Sequence, residues 1–220
     1  MFEGLRDYIA SNLQDRVMSK GLNDYQIFGK QVEDLISDLI EEYLNDKKIK
    51  YVATRAKNKN SFPDLKLNIN NLEYALEHKS GRSDKAGNDL GTLRSYKQKI
   101  KKFEDRIYCV FVKYSVCSNN NITIDAVYFD KMYKFVGNFP SSKRNDILCY
   151  REKDGNLRPK SWECFEKNIA YTKTLKEFEN NIQETIKYRA LQLVLKHMKD
   201  LTKDDRETVY KELGNMIKKK

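Results

Sequence analysis

The chain has 220 residues, 40% of them hydrophobic and 34% charged, with 42 Lys and Arg against 32 Asp and Glu and a formal net charge of +10. That length suffices for one domain with a sizeable core, and the cationic surplus favours a polyanionic partner such as nucleic acid, although a lysine-rich composition alone produces the same sign. No apolar run approaches the roughly 18 residues of a membrane span. The opening stretch MFEGLRDYIASNLQDR is amphipathic and carries acids, unlike a signal or transit peptide, so a cytoplasmic protein without a membrane partner is expected. Cys109, Cys117, Cys149 and Cys164 form no CxxC pair, and His78 and His197 are the only histidines, which argues against zinc and histidine-based phosphoryl chemistry.

Two helical stretches open the chain. In the second, Ile27, Phe28, Val32, Leu35, Ile36, Leu39, Ile40, Tyr43 and Leu44 recur at helical spacing and cover one broad face. The period then changes. Lys50–Thr54, Asp64–Ile69 and Leu72–Ser80 are short, alternate apolar and polar residues, and are parted by Asn, Pro and Lys, which predicts strands. The polar loop SGRSDKAGNDLG leads to a helix over Thr92–Phe103, followed by strands over Arg106–Val116 and Ile122–Phe129. The pattern weakens from Met132 to Trp162, and helices over Leu175–Met198 and Lys203–Lys218 end the chain. No repeat or linker marks a boundary. The order predicts one α/β domain, a mixed β-sheet flanked by α-helices, spanning residues 1–220. Within it a core is expected over about 20–130, and over 131–220 a helical closing segment available for recognition of a nucleic-acid partner.

The informative stretch is FPDLKLNINNLEYALEHKSG, Phe62–Gly81. Asparagine tolerates the positive φ of tight hairpin turns, so Asn70-Asn71 predicts a turn between two strands. Ile69 then faces Leu72, and counting outward Asp64 faces Glu77 with Cβ atoms roughly 4.5–5.5 Å apart. Strand alternation puts Lys79 on the face of Glu77 and turns His78 to the other. Opposed carboxylates repel each other unless a cation lies between them, and oxygen ligands suit magnesium. A carboxylate pair, a metal and an adjacent lysine suit phosphodiester hydrolysis. Lys79 would act either as base or as electrostatic stabiliser.

Pro63-Asp64, twelve intervening residues and Glu77-His78-Lys79 resemble the motif of PD-(D/E)XK nucleases, the superfamily of most type II restriction endonucleases. The resemblance implies a restriction-endonuclease-like fold. It also implies site-specific cleavage of double-stranded DNA by a Mg2+-activated water, leaving 5′-phosphate ends. Asp64, Glu77 and the His78 carbonyl would bind the metal, and Asp64, Glu77 and Lys79 would carry the chemistry. Gly29 to Glu33 is similar to a glycine-to-glutamate spacing in the N-terminal helix of many such enzymes, which adds Glu33. On a helical wheel Glu33 falls in the apolar arc, where it either takes Lys79 or a metal as partner or borders the stripe and reaches water.

The polar loop after Lys79 is similar to the passage that leads many of these enzymes into a DNA-contacting helix, so Ser80, Arg82, Lys85, Asn88, Thr92 and Arg94 are candidate DNA contacts. Further donors and acceptors cluster at Lys57, Lys59 and Asn60, at Lys143, Arg144 and Asn145, and at Arg158 and Lys160. Trp162 and Cys109 are assigned to packing and His197 to a helix surface. A homodimer would cut both strands of a palindromic site, and a host would carry a cognate DNA methyltransferase. The alternatives are a structure-specific repair or junction nuclease of the same superfamily, and a non-catalytic DNA-binding protein.

Overall fold

Apolar spacing near the N-terminus decides how the first face of the sheet is covered. In helix α1 (Leu5–Ser19), Leu5, Ile9, Leu13 and Val17 follow one another at four-residue intervals and are all buried. Each fully buried aliphatic side chain contributes about 2 kcal/mol, so this single row anchors a helix whose other sides are wet. Helix α2 (Phe28–Asp46) buries nine residues from Phe28 to Leu44, and α1 packs across it. The computed structural model describes residues 1–24, 27–57, 61–84, 89–118, 121–139, 144–159 and 161–218, without the side chains of 213 and 215–218.

Five strands follow: β1 (Val52–Arg55), β2 (Leu65–Ile69), β3 (Leu72–Arg82), β4 (Ile107–Val116) and β5 (Ile122–Lys131). They form one sheet in that order, antiparallel throughout except for the parallel β3–β4 pair. Parallel neighbours need a long crossover, supplied here by helix α3 (Leu93–Phe103). Strand β4 has helices or loops over both faces, which explains its unbroken apolar run IYCVFV. On one face, Leu65, Leu67, Ile69, Leu76, Val110 and Val112 join α1 and α2 in a first core. On the other, Ala75, Cys109 and Phe111 join α3 and the C-terminal segments in a second.

The predicted elements agree with these boundaries to within a few residues. Pairing continues past the periodic pattern where β3 runs on to Arg82 alongside β4 and β5 reaches Lys131 opposite Tyr108, while β1 begins only at Val52 and not at Lys50. The aperiodic stretch after it is still folded. It contains a 3-10 turn (Met132–Phe135), the bridges Asn138–Leu148 and Tyr150–Leu157, a further bridge from Asn156 back to Thr92 and the short helix α4 (Trp162–Glu166), and it buries Ile147, Leu148, Leu157 and Trp162. Helix α5 (Leu175–His197) packs its first half through Phe178 and Ile182, while its distal half exposes Leu191, Leu193 and Leu195. Helix α6 (Lys203–Lys218) ends the described chain. Among the described residues no helix is long and apolar enough to cross a membrane. The result is an α/β domain with a mixed five-stranded sheet.

Candidate active site

Asn70 and Asn71 have φ of 52° and 63°, the left-handed pair that a two-residue hairpin turn demands. The turn sets the register of β2 against β3, Ile69 opposite Leu72 through to Leu65 opposite Leu76. Asp64 lies one step beyond Leu65, beside Glu77. There its Oδ2 accepts a 2.6 Å hydrogen bond from the His78 backbone N–H, which fixes the carboxylate at the strand end. The Lys79 ammonium sits between the two acids, 2.7 Å from Glu77 Oε1 and 3.8 Å from Asp64 Oδ2.

This cluster is mostly out of water: the side chains of Glu77, Lys79 and Asp64 are 11%, 15% and 17% exposed. Burial raises the Glu77 carboxyl while Lys79 acts against the rise. Burial alone would pull the Lys79 ammonium down, but Glu77 and Asp64 outweigh it and hold it above its ordinary value. Glu77 Oε2 is buried and has no hydrogen-bond partner among the described residues.

Helix α2 brings the third acid. A Cβ on Gly29 would lie 3.1 Å from Ser80 Oγ, so the glycine lets α2 approach β3 closely. One turn on, the Glu33 backbone carbonyl meets His78 Nδ1 at 3.1 Å. Burial and then the Asp64 charge push the Glu33 carboxyl up to about 7, with Lys79 opposing them. Glu33 and Asp64 line a cavity of about 210 Å³ whose walls include Lys30, Arg55 and Lys57. His78 is fully buried on the α2 side, and burial lowers its imidazole to about 3.

Among the described residues no three acidic, histidine or cysteine side chains converge as a ready-made metal site. The chemistry present is an all-oxygen pair with an unpartnered buried oxygen on Glu77 and a third acid close enough to feel Asp64. Magnesium usually takes one or two carboxylates and completes its shell with water and substrate phosphate, so this donor set fits it.

The candidate DNA contacts fall into distinct environments. Lys57 is exposed at the cavity wall, and Arg94 and Asn145 are exposed. Ser80 is buried beneath Gly29 on the α2 side, because alternation along β3 turns it away from Glu77 and Lys79. Thr92 caps α3, its hydroxyl accepting from Ser95 N at 3.2 Å. Arg82 pairs with Asp84, Arg144 with Asp146 and Glu184, and Arg158 with Asp89. Lys59, Asn60, Lys85, Asn88, Lys143 and Lys160 lie outside the described residues. Trp162 packs edge-on against Phe111 and donates from Nε1 to the Arg82 carbonyl at 2.9 Å.

Sequence reasoning missed Lys99. Its ammonium lies 3.7 Å from the Phe62 ring centroid and 4.8 Å from that of Tyr96. Burial pulls it down to about 8, with the Glu77 charge acting the other way. Its signal was present in the helical spacing: Leu93, Tyr96, Ile100 and Phe103 are the buried face of α3, and Lys99 stands three residues after Tyr96 and four before Phe103.

A solved structure of NlaIV restriction endonuclease shares the fold with a TM-score of 0.51 at 17% sequence identity, over 76% of this chain and 66% of that one, just under two thirds of its length. No curated protein sequence matches. The model of the family described as NgoBV restriction endonuclease matches residues 5–217. That match runs through both sheet faces and the hairpin between them, and it makes this chain a member of the NgoBV restriction endonuclease family.

Proposed function

We propose that the protein is a type II restriction endonuclease that hydrolyses double-stranded DNA at specific sites with Mg2+, leaving 5′-phosphate ends. The observation that carries this reading is the convergence of Asp64, Glu77 and Lys79 at one end of the β2–β3 pair, next to Glu33, in a chain of a restriction endonuclease family. Asp64, Glu77 and the His78 carbonyl would hold the metal. Magnesium, when bound, polarises the phosphate and makes a water more acidic. Lys79, ion-paired with both acids, serves as a cation for the charge that develops on the phosphate and not as the base. Glu33, whose carboxyl lies near 7 and which lines the cavity, would hold or accept a proton there.

Lys57, Arg94 and Asn145 would contact DNA directly. Arg82, Arg144 and Arg158 would exchange their carboxylate partners for phosphate or base edges. Two copies of the chain would each cut one strand of a palindromic site.

Digestion of phage-length DNA with magnesium, beside calcium and Glu77→Ala controls, tests this. Discrete fragments that need magnesium and vanish in the variant are expected. A smear with the same dependence would replace sequence recognition by structure-specific or non-specific cleavage. DNA binding in calcium without any cleavage in magnesium would point to a binding protein instead.

A further inference from the structure

Lysines near the sheet ends usually find an acid here. Lys66 pairs with Glu73, Lys79 with Glu77, Lys113 with Glu166, Lys131 with Asp105 and Lys134 with Asp130. Lys99 differs: among the described residues no carboxylate lies within ion-pairing distance of it, although it is only partly exposed. Two aromatic rings flank its ammonium instead. One of them, Phe62, stands two residues before Asp64 and ties Lys99 to the strand end that carries the acids. The charges of Glu77, Lys79 and Asp64 all act on it.

The third neighbour is a gap. A Cβ on Gly91 would fall 2.9 Å from Lys99 Nζ and would displace the ammonium, and the backbone there has φ of 103°, which itself favours glycine. A desolvated cation without a counter-ion is unfavourable for folding alone, and aromatic faces replace only part of its hydration. Such a group is compensated when an anion enters the site.

We propose that Lys99 is a second active-site cation, which reaches the scissile phosphodiester of DNA from α3 and shares with Lys79 the charge that develops there. This rests on the nuclease reading above. Under it, Lys99 is a substrate-contacting residue. Its low hydration is supplied by Phe62, Tyr96 and the absence of a side chain at Gly91.

The test uses the full chain with enzyme in excess over phage-length DNA and magnesium. Lys99→Met keeps the stem and removes the charge, while Lys101→Met makes the same charge change at an exposed position of the same helix. The expected result is a cleavage rate lowered about 10²-fold in Lys99→Met, with an unchanged or higher melting temperature, and an unaltered rate in Lys101→Met. In Lys99→Ala, added propylammonium should restore part of the rate while sodium chloride of equal ionic strength does not. Wild-type cleavage by Lys99→Met overturns the inference. So does a loss that follows a lowered melting temperature and is not relieved by propylammonium. A wild-type protein that cuts no DNA overturns the nuclease reading itself, and this inference with it.

Discussion

On the α2 side of β3, His78 and Ser80 are buried in the packing against Gly29 and the Glu33 turn. On the α3 side, Glu77 and Lys79 hold opposite charges 2.7 Å apart, and Lys99 adds a further cation close by. The two sides differ by one residue of register. The first removes charge, leaving a neutral imidazole, as a packed interior requires. The second keeps charge out of water and leaves it incompletely compensated, as the proposed metal and phosphate site would require. The same backbone carries both because strand alternation separates them by a sheet thickness while hydrogen bonding holds them in one ladder.

The largest effect should come from breaking the charged side. Glu77→Gln removes an acid and strips Lys79 of its closest partner, and cleavage of phage DNA should fall about a thousandfold or more. A variant that keeps a tenth of the wild-type rate would remove Glu77 from the chemistry.

The packed side should show itself in acid. The imidazole of His78 lies near 3 when folded, below its unfolded value of about 6.5. Stability from keeping it neutral is therefore present above pH 6.5 and lost as pH falls towards 3. Denaturant midpoints measured against pH should decline less steeply across that window in His78→Phe than in the wild type. Parallel curves would mean that protonation of His78 costs the fold nothing.

Glu33 bridges the two sides and should respond with the opposite sign. Its folded value of about 7 exceeds the ordinary 4.5. Stability from keeping it protonated is present below pH 4.5 and lost as pH rises through 7. Without divalent metal, Glu33→Gln should melt a few degrees higher than the wild type at pH 8, and the gap should close at pH 4.5. An equal gap at both would assign the effect to packing instead of charge.

The smallest effect belongs to the turn that sets which residue faces which side. Asn71 already occupies the left-handed region, so Asn71→Gly should change unfolding free energy by only about 0.5 kcal/mol and leave cleavage intact. Asn71→Val should cost about 1 kcal/mol or more. If Asn71→Gly abolished cleavage, the hairpin register would have a role beyond the turn.

The hairpin shows how much local chemistry alone dictates. Two adjacent asparagines placed the turn, and alternation then put Asp64, Glu77 and Lys79 together and His78 apart, all within twenty residues. The same alternation assigns Ser80 to the His78 side, where it is buried against Gly29. Helices α1, α2 and α3 were readable for a related reason: a one-sided apolar stripe has only one use in water.

What sequence by itself determined, then, was the periodic helices and strands, the hairpin register and the acids beside the lysine, because each depends on residues a few positions apart. Only the tertiary structure decided which arginines are occupied by Asp84, Asp89, Asp146 or Glu184. It also decided that an aperiodic stretch would bury Ile147 and Leu157, and that the Lys99 ammonium would stand over the Phe62 ring. These are contacts between segments distant along the chain. Their partners and their burial are set by the packing of whole elements, which no local pattern encodes.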